Sequence, residues 1–243
     1  MNAPIKLGVV CPMANEVETA SRFVDDVVAF CVKQGFETVR FYAVLDGVST
    51  DGTLDALRRK QSTCPRLEVV WAPENRCVVD AYVRGYRSAL EDGCDWVLEI
   101  DAGYSHQPDE IPQFLAKIPE GYDCVFGSRF IEGGDMRENS LKRRILSKGG
   151  TILSNLVLHT RLHDMTSGFQ LFSRAALQAI LDRGIRSRGP FFQTEMKAYC
   201  QRLRVVEVPI SYRGANHSIG KAALQDSLLG LWRLYQLRLQ GQL

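Results

Sequence analysis

Through residue 130 this chain of 243 residues repeats one pattern, a short apolar run, a turn, and then a segment with helical spacing. Residues 6–11 (KLGVVC), 38–45 (TVRFYAVL), 67–71, 96–100 and 123–127 read as buried strands. Residues 18–32 read as a helix, with Phe23, Val27, Val28 and Cys31 on one face and Gly35 closing it. Thr50-Asp51-Gly52 is expected to cap a helix running to about Lys60, and further helices are expected over residues 77–90 and 109–118. Strands alternating with helices imply an α/β fold: a doubly wound, Rossmann-like, mainly parallel sheet with flanking helices. Such sheets bind ligands at the carboxyl ends of their strands. The polar groups fall at those ends: Asn15 and Glu16, Asp46, Asn75, Asp101, and Ser128 with Arg129.

After Gly133-Gly134 the pattern changes. Residues 141–159 look helical, basic in the first half (Lys142, Arg143, Arg144, Lys148) and apolar in the second. Gly149 and Gly150 weaken the middle of that helix by about 1 kcal/mol each. Residues 191–203 read as a helix, 205–211 as a strand, and 224–239 as a final helix carrying Trp232 and Tyr235. No repeat or linker interrupts the chain, so a single domain over residues 1–243 is expected.

Hydrophobic residues make up 45% of the chain, enough for a substantial core. Its apolar runs fall far short of the roughly 20 residues that cross a bilayer. No basic stretch followed by an apolar run marks a signal peptide at the N-terminus. The seven cysteines form no CxxC pair, which suits reduced cytoplasmic thiols and no zinc site. The net charge of +2 hides an asymmetry. Residues 1–136 hold 13 Lys/Arg against 22 Asp/Glu, and residues 137–243 hold 17 against 6. A basic half suits an anionic partner: a phosphate, an acidic membrane surface or nucleic acid. Nucleic acid is set aside, because no basic-aromatic module is present.

Several motifs come in a telling order: Pro12 to Glu16 (PMANE), Asp46 to Thr53 (DGVSTDGT), Asn75-Arg76 and Asp101 to Glu110 (DAGYSHQPDE). The second half adds Gly127-Ser128-Arg129, Arg143 to Ser147 (RRILS), Asp164 to Phe169 (DMTSGF), Phe192 to Glu195 (FQTE) and Val208-Pro209-Ile210. Over residues 6–221 this order resembles the GT-A glycosyltransferases of family 2. Within that family the chain is similar to dolichol-phosphate mannosyltransferases and related polyprenyl-phosphate glycosyltransferases.

The resemblance implies a nucleotide-sugar half (residues 1–130) and an acceptor half with the C-terminal helix (131–243). In the first half, Pro12, Asn15 and Glu16 would line the nucleoside pocket, Asp46 would contact base or ribose, and Asn75 would lie beside the diphosphate. Asp101 would hold a Mg²⁺ or Mn²⁺ ion on the diphosphate. The family normally reads Asp-x-Asp there, and this chain has Gly103 as the third residue, so the diphosphate has to supply most of the cation's ligands. The Asp46 and Asn75 motifs also depart from the family: Gly47-Val48 replaces Asp-Gly, and Cys77-Val78-Val79 replaces Gly-Lys-Gly. His106 and Asp80 lie near these motifs and have side chains that could be ligands, although capping or packing explains His106 better and solvation on a helix explains Asp80 better.

On the acceptor side, Arg129 at the end of the first half and Arg143 and Ser147 of the second match positions that hold phosphate. Gln193 and Glu195 would belong to the same pocket, and Arg213 and Lys221 to a loop, residues 212–221, that closes over the phosphates. Asp164 is either a general base for a hydroxyl acceptor or an orienting group beside a phosphate acceptor, which is already ionised.

The expected activity is inverting transfer of a sugar from a nucleotide diphosphate to a polyprenyl phosphate at the cytoplasmic membrane face. The docking side would be the helices at 141–159 and 224–239. Two alternatives remain at this point. One is a soluble family 2 enzyme acting on a small-molecule or saccharide hydroxyl. The other is a non-catalytic binding protein with a degenerate donor site.

Overall fold

The computed structural model describes residues 5–36, 38–136, 140–213 and 220–243. Seven strands form one sheet: β1 (Lys6–Pro12), β2 (Thr38–Leu45), β3 (Leu67–Trp71), β4 (Trp96–Glu99), β5 (Cys124–Ser128), β6 (Gln170–Ser173) and β7 (Val205–Pro209). Their order across the sheet is β3-β2-β1-β4-β6-β5-β7. Strands β1 to β4 pair in parallel, as do β5 and β7, while β6 runs antiparallel between β4 and β5. The mainly parallel, doubly wound sheet expected from the alternating pattern is therefore present. Eight helices flank it among the described residues: α1 (Ala20–Lys33), α2 (Thr53–Gln61), α3 (Val78–Glu91), α4 (Ile111–Leu115), α5 (Leu141–Leu158), α6 (Arg174–Arg183), α7 (Phe192–Tyr199) and α8 (Lys221–Leu239).

Alternation along the strands builds two cores, because successive side chains leave a strand on opposite faces. Leu7, Val9 and Cys11 of β1 and Phe41, Ala43 and Leu45 of β2 meet Phe23, Val27 and Leu57 of α1 and α2. Val10 and Tyr42 point the other way, into a core with Tyr82 and Tyr86 of α3, Leu177 of α6 and Met196 of α7. Helix α3 lies so close to β1 that a Cβ on Gly85 would sit 2.4 Å from Val10. Only glycine permits that approach.

Strand β6 and helix α6 are absent from the sequence expectations above. β6 has only four residues and lies beside a motif-rich stretch, so period-two alternation has little length in which to register. Its position is consequential. β6 places Gln170 directly opposite Glu99 and carries the segment 164–169 up to the carboxyl end of β4. The helix expected after the Thr50-Asp51-Gly52 cap runs Thr53–Gln61, with the Asp51 carboxylate accepting from the Thr53 backbone N–H at 3.0 Å. Other boundaries move. The helix at 191–203 spans Phe192–Tyr199, and that at 109–118 is a 3₁₀ turn (Pro108–Glu110) followed by α4. Despite Gly149-Gly150, α5 is continuous.

Candidate active site

Strand β4 is apolar except at its end, where Glu99 and Asp101 flank the buried Ile100. The two carboxylates have opposite surroundings. Glu99 is fully buried and accepts from the Tyr86 hydroxyl and from the amides of Gln193 and Gln170. Burial pushes its carboxyl up to about 8, against the pull of the Tyr86 and Gln193 hydrogen bonds. Asp101 keeps 39% of its side-chain surface exposed and accepts from the Tyr82 hydroxyl. Tyr82 and Tyr86 lie one turn apart on α3 with their rings stacked at 6.0 Å. One helix face thus supplies a hydroxyl to each carboxylate. The lone glutamate within an apolar strand was the sequence signal for this buried network, to which no role was assigned above.

His106 is the floor beneath Asp101. Its ring is 1% exposed, stacks on Phe169 at 5.1 Å and meets the Tyr212 ring edge-on at 5.4 Å. Its Nδ1 accepts from the Asp101 backbone N–H at 3.3 Å, which puts the imidazole proton on Nε2. Burial holds its pKa below the usual value, so the 3.7 Å approach to Asp101 Oδ2 is contact with a neutral ring. His106 is a packed, hydrogen-bonded group here.

Gly103 has φ +67°, and a Cβ at this position would lie 2.6 Å from Glu16 Oε1. The Glu16 carboxylate, held by the Thr19 hydroxyl at 2.6 Å, therefore abuts the place of the missing second aspartate. Among the described residues no group of three His, Cys, Asp or Glu side chains could hold a metal ion. Asp101 has Oδ1 engaged by Tyr82 and Oδ2 without a hydrogen-bond donor among the described residues. That donor set fits a hard cation only when phosphate oxygens and water complete the shell.

The other donor-side residues divide. Pro12 ends β1, beside the turn that carries Asn15 and Glu16. Asn15 has φ +57°, and both ends of its amide brace the neighbouring turn, Nδ2 donating to Val48 O at 3.2 Å and Oδ1 accepting from Thr50 N at 2.9 Å. Asp46 accepts from the Val48 N–H at 3.0 Å, closing a local turn. Asn75 has a buried Nδ2 with no partner among the described residues, facing a groove of about 500 Å³. Asp80 is committed to Arg188 at 2.6 Å and to Arg76 at 3.3 Å, so its charge is already matched.

On the acceptor side Arg129 and Asp164 form a buried two-pronged pair, Nε to Oδ2 at 2.7 Å and Nη2 to Oδ1 at 2.8 Å. The same carboxylate accepts from the backbone N–H of Arg129 and from the N–H and hydroxyl of Thr166. Burial alone would raise this carboxyl, but the Arg129 charge and hydrogen bonds, with Lys197 beyond, hold it at about 2. A carboxylate with five donors on four lone-pair sites has no basicity to offer. Of the two roles left open for Asp164, the geometry favours orientation.

The loop bearing Asp164 is gripped from two sides. Glu207 of β7 accepts from the N–H groups of His163 and Asp164 at 2.8 and 2.9 Å. Lys197, fully inside α7, donates to the carbonyls of Asp164 and Ser167 at 2.7 and 3.0 Å, with Nζ 5.3 Å from the Phe126 ring centroid. Burial lowers its pKa to about 8, opposed by Asp164. No sequence signal marks a lysine at 1% exposure, because a charged residue in a short helix ordinarily faces water.

Arg143 and Ser147 lie one turn apart on α5, and Arg143 Nη2 donates to the Tyr212 hydroxyl at 3.2 Å. Gln193 bonds with Glu99 and Gln170 and is 6% exposed. Glu195 is a correction. Its carboxylate turns to the backbone N–H groups of Arg186 and Ser187 and to the Tyr199 hydroxyl at 2.9 Å, anchoring the segment before α7 rather than sharing the pocket of Gln193. Arg213 donates its backbone N–H to Ser105 O at 2.9 Å, tying the second half to the turn after Asp101. Lys221 is the exposed first residue of α8. Residues 214–219 of the expected closing loop lie outside the described residues.

The arrangement therefore joins one exposed carboxylate at the end of β4 to two arginines gathered at Tyr212. Comparison with known proteins agrees with that geometry. Residues 8–181 match the family "Glycosyl transferase family 2". The chain is 32% identical over 189 residues to the undecaprenyl-phosphate mannosyltransferase of Micrococcus luteus, covering 77% of this chain and 76% of that one. It is 28% identical over 238 residues to the polyprenol monophosphomannose synthase of Mycolicibacterium smegmatis, covering 97% and 88%. Among solved structures, the glucosyl-3-phosphoglycerate synthase of Mycobacterium tuberculosis, crystallised with Mn²⁺, UDP and glucosyl-3-phosphoglycerate, superposes with a TM-score of 0.69 at 17% identity, covering 96% and 80%. With the family match spanning most of the sheet and the site lying at its carboxyl edge, the chain belongs to glycosyl transferase family 2 and is a glycosyltransferase of GT-A fold.

Proposed function

We propose that this glycosyltransferase moves a sugar from a nucleoside diphosphate to a polyprenyl phosphate by inverting displacement. The observation that carries this reading is the saturation of Asp164 by Arg129 and Thr166. A hydroxyl acceptor needs a base, and this carboxylate, held at about 2, is not one. A phosphate acceptor arrives ionised and needs cations to place it. Arg129 and Arg143, both in contact with the Tyr212 ring, supply them. The names of the two bacterial relatives, one acting on undecaprenyl phosphate and one making polyprenol monophosphomannose, support the same acceptor class.

In this reading Pro12, Glu16, Asp46 and Asn75 line the nucleoside side, with Asn15 bracing the turn beneath it. Asp101 would hold a divalent cation, Mg²⁺ or Mn²⁺, whose charge would offset that of the leaving diphosphate. The Mn²⁺-bound fold neighbour supports a divalent ion here. Tyr82 orients Asp101, Asp164 orients Arg129, and Ser147, Arg213 and Lys221 add donors toward phosphate. The chain works as one unit, since β6 of the acceptor half sits between β4 and β5 of the donor half.

A polyprenyl acceptor requires a membrane approach. No described helix is long and apolar enough to cross a membrane. Instead α5 exposes Leu141, Ile145, Ile152 and Leu156, and α8 exposes Leu224, Leu228, Trp232 and Leu239, each set on one stripe of its helix. The basic first turns of α5 flank these stripes, which suits peripheral docking on an anionic cytoplasmic leaflet. The test is substitution of the two arginines. Arg129→Ala and Arg143→Ala should each lower transfer to a polyprenyl phosphate about 10- to 100-fold, since charge-assisted hydrogen bonds contribute roughly 1.5–3 kcal/mol. Normal transfer by both folded variants would refute the assigned acceptor pocket.

A further inference from the structure

Tyr212 stands where three parts of the site meet. Its ring centroid is 5.5 Å from the Arg129 guanidinium carbon and 5.4 Å from that of Arg143. The His106 ring, which lies under Asp101, touches it edge-on. Its hydroxyl accepts from Arg143 Nη2. Its backbone is pinned as well: the N–H donates to Asp135 O at 3.0 Å, and residue 212 forms an antiparallel bridge with His106. The ring is therefore a fixed object.

The two arginines meet it differently. Arg129 is already locked along one edge by Asp164 and Thr166. Arg143 projects from the first turn of α5, a helix whose first turns are largely exposed, and reaches the site at Tyr212. A long side chain that must be immobilised when its ligand binds weakens that binding, and an aromatic face that holds the guanidinium beforehand removes the penalty. The face of the ring also carries negative partial charge, which eases the approach of two cations to each other.

We infer that Tyr212 is a positioning residue for the acceptor phosphate, holding the Arg143 guanidinium beside the locked Arg129. The inference rests on the acceptor reading of the two arginines and adds the group that assembles them. A residue that merely packs would affect folding and donor binding as much as acceptor binding. This one should affect the acceptor alone, and should do so through Arg143.

The experiment is calorimetric titration with farnesyl phosphate, a short prenyl monophosphate, beside titration with a nucleoside diphosphate. Tyr212→Phe should weaken farnesyl phosphate about 2- to 5-fold and Tyr212→Leu about 5- to 20-fold, with nucleotide affinity changed less than about twofold. The double-mutant cycle is the sharper readout. Arg143→Ala should cost much less in the Tyr212→Leu background than alone, whereas Arg129→Ala should cost about the same in both. If Tyr212→Leu does not fold, the cycle is run with Tyr212→Phe, which keeps the ring and removes the Arg143 hydrogen bond. Independent losses at 212 and 143 would overturn the inference, as would farnesyl phosphate binding indifferent to both Tyr212 variants while the arginine variants lose it. Unchanged binding in the arginine variants would instead bring down the acceptor reading, and this inference with it.

Discussion

Arg129 and Asp164 face each other as two parallel N–H···O contacts of 2.7 and 2.8 Å, with 5% and 0% of their side chains exposed. Breaking such a pair leaves a buried charge unmatched, which costs about 3–5 kcal/mol. Asp164→Ala should therefore destabilise the fold by that amount in urea melts. Acid should act the same way on the parent protein. The folded carboxyl at about 2 lies below its unfolded value of 3.8, so the stability it contributes is present above pH 4 and is lost as pH falls through 2. A shift of that size corresponds to about 2–3 kcal/mol. Melts from pH 5 to 2 should show that loss in the parent and not in Asp164→Ala; equal slopes would contradict the pair's role.

The expected fold followed from strands spaced by helices, because buried parallel strands and amphipathic helices leave long regular signals. What stayed hidden was short or non-local. Four residues of β6 cannot display a period, and nothing near Gln170 in sequence says that Glu99 lies opposite. Asp164 and Arg129 each stand out in the sequence, but the bond between them spans 35 positions, and no local pattern announces that the two charges meet. Glu195 was misplaced for a related reason. Two residues along a helix from Gln193 is about 200° around the axis, so neighbours in a motif face different surroundings. Gly103 was legible as a missing ligand, while its backbone angle of φ +67° became visible only in the fold.

That backbone angle decides how the donor site responds to repair. Replacing Gly103 by Asp would strain a left-handed residue by roughly 1–2 kcal/mol and bring a second carboxylate against Glu16. Gly103→Asp should lower the melting temperature and leave the affinity for Mn²⁺ alone in the millimolar range. In the parent, Mn²⁺ should strengthen binding of a nucleoside diphosphate far more than it binds by itself. Micromolar Mn²⁺ binding without nucleotide would contradict the single-carboxylate site.

Glu99 and Lys197 change the stability over two adjoining pH ranges that meet near 8, with opposite slopes. The Glu99 carboxyl is raised from 4.5 to about 8, so its stability is full below pH 4.5 and is lost as pH rises through 8. Lys197 is lowered from 10.5 to about 8, so its stability is present above pH 10.5 and is lost as pH falls through 8. Stability should dip near pH 8. Glu99→Gln should flatten the fall between pH 5 and 8, of order 1 kcal/mol per pH unit, and leave the rise above pH 8 in place. Melts of both proteins across pH 5–10 check this, and parallel curves would contradict it.

The exposed stripes of α5 and α8 should govern membrane approach without governing the fold. Trp232 is 58% and Leu156 is 72% exposed, so removing them leaves the core intact. Trp232→Ala combined with Leu156→Ala should reduce flotation with vesicles containing phosphatidylserine at least tenfold, at an unchanged melting temperature. Association of the parent with those vesicles should weaken as salt is raised. Flotation of the double variant equal to that of the parent would place the docking side elsewhere.

The central claim is that the acceptor is a phosphate whose charge Arg129 and Arg143 hold and whose ionisation makes a base unnecessary. The direct measurement incubates the protein with Mn²⁺ and a set of radiolabelled nucleotide sugars, supplying either undecaprenyl phosphate or undecaprenol, the same lipid without its phosphate. Label is expected in the lipid extract from one donor, with undecaprenyl phosphate only and with loss of that label in Arg143→Ala. Transfer to undecaprenol at a comparable rate, or to neither lipid from any donor, would contradict it.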